Sequence, residues 1–134
     1  MRVLALDYGA ARCGVAVSDP TGTLATPLDA VVRPGSTDGL QSIVALVRDR
    51  NVETVVVGLP LTLAGDESEQ TTRARAFAER LGRAVAPVPV ELYDERLTTA
   101  QARRTGGAAS EDSRAAAHLL EAWLAARDAR GRPG

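Results

Sequence analysis

Lysine is absent from this 134-residue chain, and all sixteen cationic side chains are arginine. Arginine suits bidentate phosphate contacts, but a coding bias gives the same composition and is the plainer reading. Aromatic residues reach only 3%, which excludes the broad stacking platforms that hold single-stranded nucleic acid. One cysteine, Cys13, excludes an internal disulfide, and with His118 as the sole histidine a Cys/His zinc site is excluded as well. Such cysteine usage points to the cell interior. No apolar run approaches the length that spans a bilayer, and residue 2 opens a strand rather than a basic, apolar and small-residue leader. The expectation is a soluble, cytoplasmic protein with no membrane partner.

What is present is aliphatic. Hydrophobic residues make up 45% of the chain, enough for one core that buries roughly two thirds of the unfolded surface. A single domain over residues 1–126 is expected, with a flexible tail over 127–134. The formal net charge of -1 means that any basic surface is local.

The first apolar run, Arg2 to Tyr8, is a strand broken by one acid, Asp7, and followed by the turn Gly9 to Gly14. Val15 to Asp19 and Leu24 to Arg33, separated by Pro20-Thr21-Gly22-Thr23, complete an antiparallel meander. Leu40, Ile43, Val44 and Val47 recur at helical spacing. Val52 to Leu59 is apolar on both faces, so it reads as a central strand parallel to the first. A helix from about Asp66 presents Ala74, Phe77, Ala78 and Leu81 to the core, and its arginines Arg73, Arg75, Arg80 and Arg83 read as a solvated face. Val88, Val90 and Leu92 then lead out into Asp94 and Glu95. Thr98 with Gln101 fits the capping box of a short helix, and a last helix from about Ser110 carries Ala116, Leu119, Leu120 and Trp123 on one stripe. The predicted fold is α/β: a mixed five-stranded sheet, meander plus parallel strands, with helices on both faces.

Parallel strands bring Asp7 and Glu95 to one sheet edge, where ligand sites of open α/β sheets lie. On the last helix Asp112 stands four residues before Ala116 and continues the inward stripe, whereas Glu111 is turned about 100° away. Each acid also has a bland reading: Asp7 as a cap of the following turn, Asp112 as a helix-dipole acid. Three carboxylates at one edge repel one another unless a cation joins them, and an all-oxygen donor set selects Mg2+ or Mn2+, the ions of phosphodiester hydrolysis.

These residues resemble a known family, the YqgF-type (RuvX-like) nucleases of the RNase-H-like superfamily, whose bacterial members are described as pre-16S rRNA nucleases. Asp7-Tyr8-Gly9 with Arg12 and Gly14 to Asp19 is similar to the family's opening motif, and Val57-Gly58-Leu59-Pro60 to its second. Asp94-Glu95-Arg96-Leu97-Thr98-Thr99 resembles the third, and Asp112 with Ala115-Ala116 and Leu119-Leu120 the fourth. The resemblance implies an RNase-H-like fold, Mg2+ or Mn2+, and Asp7, Glu95 and Asp112 as catalytic and metal-holding acids. It implies nucleic-acid contacts at Arg12, Arg96, Thr98 and Thr99. Two departures stand out: the segment between Thr99 and Asp112 is short, where relatives carry a longer basic one, and Thr62 stands where asparagine is common.

The expected function is a metal-dependent endonuclease, acting in 5'-end maturation of pre-16S rRNA or as a Holliday junction resolvase on branched DNA. A monomer or a homodimer is compatible with the first, and the second requires the dimer. Two other classes stay open. Asp-x-Gly with a second glycine also resembles the phosphate loop of actin-like kinases, although one domain leaves no second lobe to close over a nucleotide. The short basic segment suits a non-catalytic nucleic-acid-binding module.

Overall fold

The computed structural model describes residues 1–61, 64–95 and 111–131, and within the last stretch the side chains of 113–128. Among these residues five strands, β1 (Val3–Asp7), β2 (Arg12–Ser18), β3 (Ala25–Val32), β4 (Thr54–Leu59) and β5 (Val90–Asp94), join three helices, α1 (Thr37–Asp49), α2 (Glu69–Val85) and α3 (Glu111–Gly131). They form one sheet in the order β3-β2-β1-β4-β5. The first three strands are the antiparallel meander, and β1, β4 and β5 run parallel.

Strand alternation decides which helix covers which face. Leu4, Leu6, Val15, Val17, Val55 and Val57 pack against Ile43, Val44 and Val47 of α1 and Phe77, Ala78 and Leu81 of α2. Val3, Ala5, Ala16 and Val56 face the other way, against Ala116, Leu119, Leu120 and Trp123 of α3. The mixed sheet with helices on both faces is therefore as the sequence predicts, and so are the apolar stripes.

Some boundaries differ, for local reasons. The helix α2 begins at Glu69 rather than near Asp66, because an antiparallel bridge with Leu61 holds Glu67 out of the helix. Ser68 then caps α2 in a reciprocal box with Thr71, and the buried Thr71 hydroxyl donates to the Pro60 carbonyl. That bond ties the start of α2 to the end of β4. The last helix runs on to Gly131, so residues 127–131 are helical. The short helix expected around Thr98 to Gln101, like Thr62, lies outside the described residues. At the β2–β3 corner Asp19 accepts from the N–H groups of Thr23 at 2.8 Å and Leu24 at 2.9 Å. The backbone bond from Leu24, the Thr21 hydroxyl and the Thr23 N–H hold its carboxyl well below the usual carboxylate range.

Candidate active site

Alternation continues beyond the core rows. Val3 and Ala5 face α3, so Asp7, two residues further, lies on that face at the C-terminal end of β1. Tyr93 packs against the same cluster, which places Glu95 on that face just past the end of β5. The two carboxyls meet there and share a hydrogen bond. Burial, then that bond, then the negative charges of Asp7 and Asp94 push the Glu95 carboxyl up to about 8. Near neutral pH Glu95 therefore keeps its proton and donates it to the Asp7 carboxylate.

Between them, in β4, lies Gly58, whose missing side chain leaves room for the Glu95 carboxyl. Tyr8, just past the end of β1, turns to the opposite face and stacks on Phe77 of α2 with ring centroids 4.7 Å apart.

The first turn of α3 is pinned close by. β2 carries an irregularity between Cys13 and Val15, and there the Val15 N–H donates to Ser113 Oγ at 3.3 Å. Val15 pairs with Leu6 and Gly14 with Asp7, so the hydroxyl fixes the start of α3 beside the end of β1. Asp112 stands in that first turn, one residue before Ser113; its side chain, with that of Glu111, lies outside the described residues. Among the described residues no group of three or more His, Cys, Asp or Glu is gathered for a metal. The pair that is gathered fits one. Two carboxyls so close that one holds its proton to about pH 8 form a hard, oxygen-only donor set with uncompensated negative charge, the surroundings a divalent Mg2+ or Mn2+ favours.

Arg12 opens β2 opposite Val32 and is exposed, one turn of chain beyond Asp7, with no ion pair among the described residues. Arg96, Thr98 and Thr99 lie outside the described residues. An open groove of about 400 Å³ runs beside the same edge, lined by Tyr8, Ala10, Ser68, Glu69, Gln70 and Arg73. Arg73 is paired with Glu69 at 2.7 Å, one turn apart on α2. Arg80 is less free than a solvated face implies: its Nη1 donates to the Gly35 carbonyl at 2.8 Å.

Cys13 is buried in β2, as expected of a packed thiol. His118 is buried, neither ring nitrogen has a hydrogen-bond partner among the described residues, and burial lowers its pKa. Sequence reasoning missed Gly58 and Ser113 as parts of the site. The signal for the first was a glycine inside an otherwise β-branched run; for the second there was none beyond its place after Asp112.

Residues 1–126 match the family model described as "RuvX: Holliday junction resolvase". A protein of Rhodococcus erythropolis named "Putative pre-16S rRNA nuclease" is 42% identical, the alignment covering 99% of this chain and 82% of that one. Proteins with the same name are 46% identical in Anaeromyxobacter, over 96% of this chain and 100% of that one, and 45% identical in Mycobacterium tuberculosis, over 92% and 78%. Among solved structures, Thermus thermophilus RuvC in complex with a Holliday junction substrate superposes with a TM-score of 0.63 at 15% identity, covering 96% of each chain. The fold is thus RNase-H-like.

Proposed function

We propose, from the premise that this chain belongs to the RuvX family, that it is a metal-dependent endonuclease whose catalytic acids are Asp7, Glu95 and Asp112. The observation that carries the reading is the hydrogen-bonded Asp7–Glu95 pair at the C-terminal edge of the parallel strands. Placing two carboxyls in contact is costly, and a fold keeps such a pair where something cationic relieves it. The same residues would hold Mg2+ or Mn2+, with Asp112 on the helix that covers their face. When bound, such an ion supplies Lewis-acid activation of water and stabilisation of the departing oxygen.

The chain's own groups account for the rest. The first-turn anchor at Ser113 holds α3 against the end of β1, which keeps Asp112 near the pair. Arg12, exposed and beside the edge, steadies a phosphate by bidentate contact, as do Arg96, Thr98 and Thr99 by family likeness.

The names of the relatives favour the precursor of the small-subunit ribosomal RNA as substrate; 5'-end maturation as the role and the cytoplasm as the place are our own extension of that reading. Branched DNA is the second reading, carried by the family model's description. Cleavage of precursor RNA and of four-way DNA junctions, each with Mg2+ and with Mn2+, tests both. Hydrolysis of the RNA alone supports the first reading, cutting of the junction alone the second, and inertness on both leaves a non-catalytic binding module.

A further inference from the structure

The strand β4 lies between β1 and β5, so a side chain that joins the ends of the outer two has to pass over it. Neighbouring strands are about 4.8 Å apart, which sets β1 and β5 roughly 10 Å from each other. The β4 residue at this level is Gly58. It follows Val57, the partner of Leu6, and pairs with Tyr93. Two residues after Val56, it faces α3 as Val56 does. A Cβ at Gly58 would lie 2.5 Å from Glu95 Oε1, 3.0 Å from its Cγ and 3.1 Å from its Cδ, the nearest atoms among the described residues apart from its own chain neighbours. The rest of β4 is threonine, valine and leucine, so glycine here forgoes both packing and strand preference. A close approach by another group is the physical reason to accept that cost.

We propose that Gly58 is a positioning residue: the absence of a side chain at this point of β4 is the passage through which Glu95 reaches Asp7, and any larger residue parts the two carboxyls. The inference rests on the reading of Asp7 and Glu95 as the catalytic pair. The atoms in the way belong to the free end of a flexible side chain. Alanine is therefore accommodated by swinging the Glu95 carboxyl aside, with β4 intact, and the loss falls on the pairing rather than on the fold.

The test compares wild type, Gly58→Ala, Glu95→Ala and the double variant by crystal structure and by steady-state cleavage with Mn2+. In the wild type the Glu95 carboxyl lies within hydrogen-bond distance of Asp7; in Gly58→Ala it has left. Misplacement of a reacting group by about 1 Å costs on the order of a hundredfold, so kcat falls by about that factor in Gly58→Ala, with KM unchanged. The double variant is no slower than Glu95→Ala. A Glu95 carboxyl still beside Asp7 in Gly58→Ala overturns the proposal, and so does a multiplicative loss in the double variant, which a general role in β4 would produce. If the wild type cleaves neither RNA nor DNA, the nuclease reading fails, whereas the pair of crystal structures still decides whether Gly58 seats the carboxyl. Should Gly58→Ala fail to fold, folding restored by adding Glu95→Ala supports the clash, and misfolding that persists overturns it.

Discussion

Val15 donates its backbone N–H to Ser113 Oγ at 3.3 Å, and this bond joins the irregular point of β2 to the first turn of α3 across 98 residues of chain. Ser113 is fully buried, so its removal leaves a buried donor without its partner. Ser113→Ala should cost roughly 1 to 3 kcal/mol in chemical denaturation. It should also lower cleavage beyond what that loss explains, because the turn that carries Asp112 is freed from the end of β1. Unchanged kcat in a destabilised but folded Ser113→Ala would show that the anchor serves stability alone.

The adjacent acids on α3 separate register from charge. Asp112→Asn removes a metal ligand with almost no change in volume and should lower cleavage by orders of magnitude, while Glu111→Gln should be nearly silent. Both stand in the first turn, so effects through the helix dipole, typically below about 1 kcal/mol, act on both alike. A more damaging Glu111→Gln would mean that the third acid is wrongly assigned.

The sheet was legible because its signals are periodic and local: the Ile43, Val44 and Val47 stripe and the Ala116 to Trp123 stripe are buried as their spacing requires. Asp7 and Glu95 were legible because each interrupts or ends an apolar run, and parallel strands leave such residues at one edge. Gly58 read as part of the central strand and of the second motif that resembles the family's, but not as a point of close approach, since nothing in one strand tells which side chain will cross it from the next. Ser113 escaped for a related reason: the N–H it satisfies belongs to an irregularity in a distant strand. Arg80 was read as solvated, and its bond to the Gly35 carbonyl depends on how the α1 entry packs beside α2, which helical phase does not specify.

Arginine contacts with phosphate should therefore divide by place. Arg12→Ala should weaken nucleic-acid binding and lessen its salt dependence, since an exposed cation beside the acids displaces a counterion when a phosphate docks. Arg80→Ala should cost a little stability through Gly35 and leave cleavage near wild type. Equal losses of cleavage in the two variants would put the phosphate path along α2 instead.

Divalent metal should stabilise the native chain, because the close carboxyls exist only in the folded state. At about one hundred times its dissociation constant, Mg2+ or Mn2+ adds roughly 2.7 kcal/mol, and Asp7→Asn should abolish the gain. A melting temperature indifferent to both ions, in wild type and variant alike, would count against the site.

In metal-free protein two buried groups should give stability an unusual dependence on pH. Glu95 has its carboxyl pushed from 4.5 up to about 8 in the folded chain, so the folded state holds a proton that the unfolded state releases. Its contribution is fully present below about pH 4.5 and is lost as pH rises toward 8. His118 acts in the opposite sense. Its pKa is lowered from 6.5, chiefly by burial, so the unfolded state takes up a proton that the folded state refuses, and stability falls as pH drops below 6.5. The two slopes oppose each other below pH 6.5, whereas between 6.5 and 8 only Glu95 is in transition. Denaturation of EDTA-treated protein should therefore show stability declining across that upper window, in a direction opposite to the gain expected where acids are paired with cations. Glu95→Gln should flatten the decline there and, below 6.5, leave the fall toward acid that His118→Leu removes without its opposing slope. A wild-type curve that is flat from pH 6.5 to 8, or a decline that survives Glu95→Gln, would show that Glu95 does not carry its proton into the neutral range and that the two carboxyls are not in contact in solution.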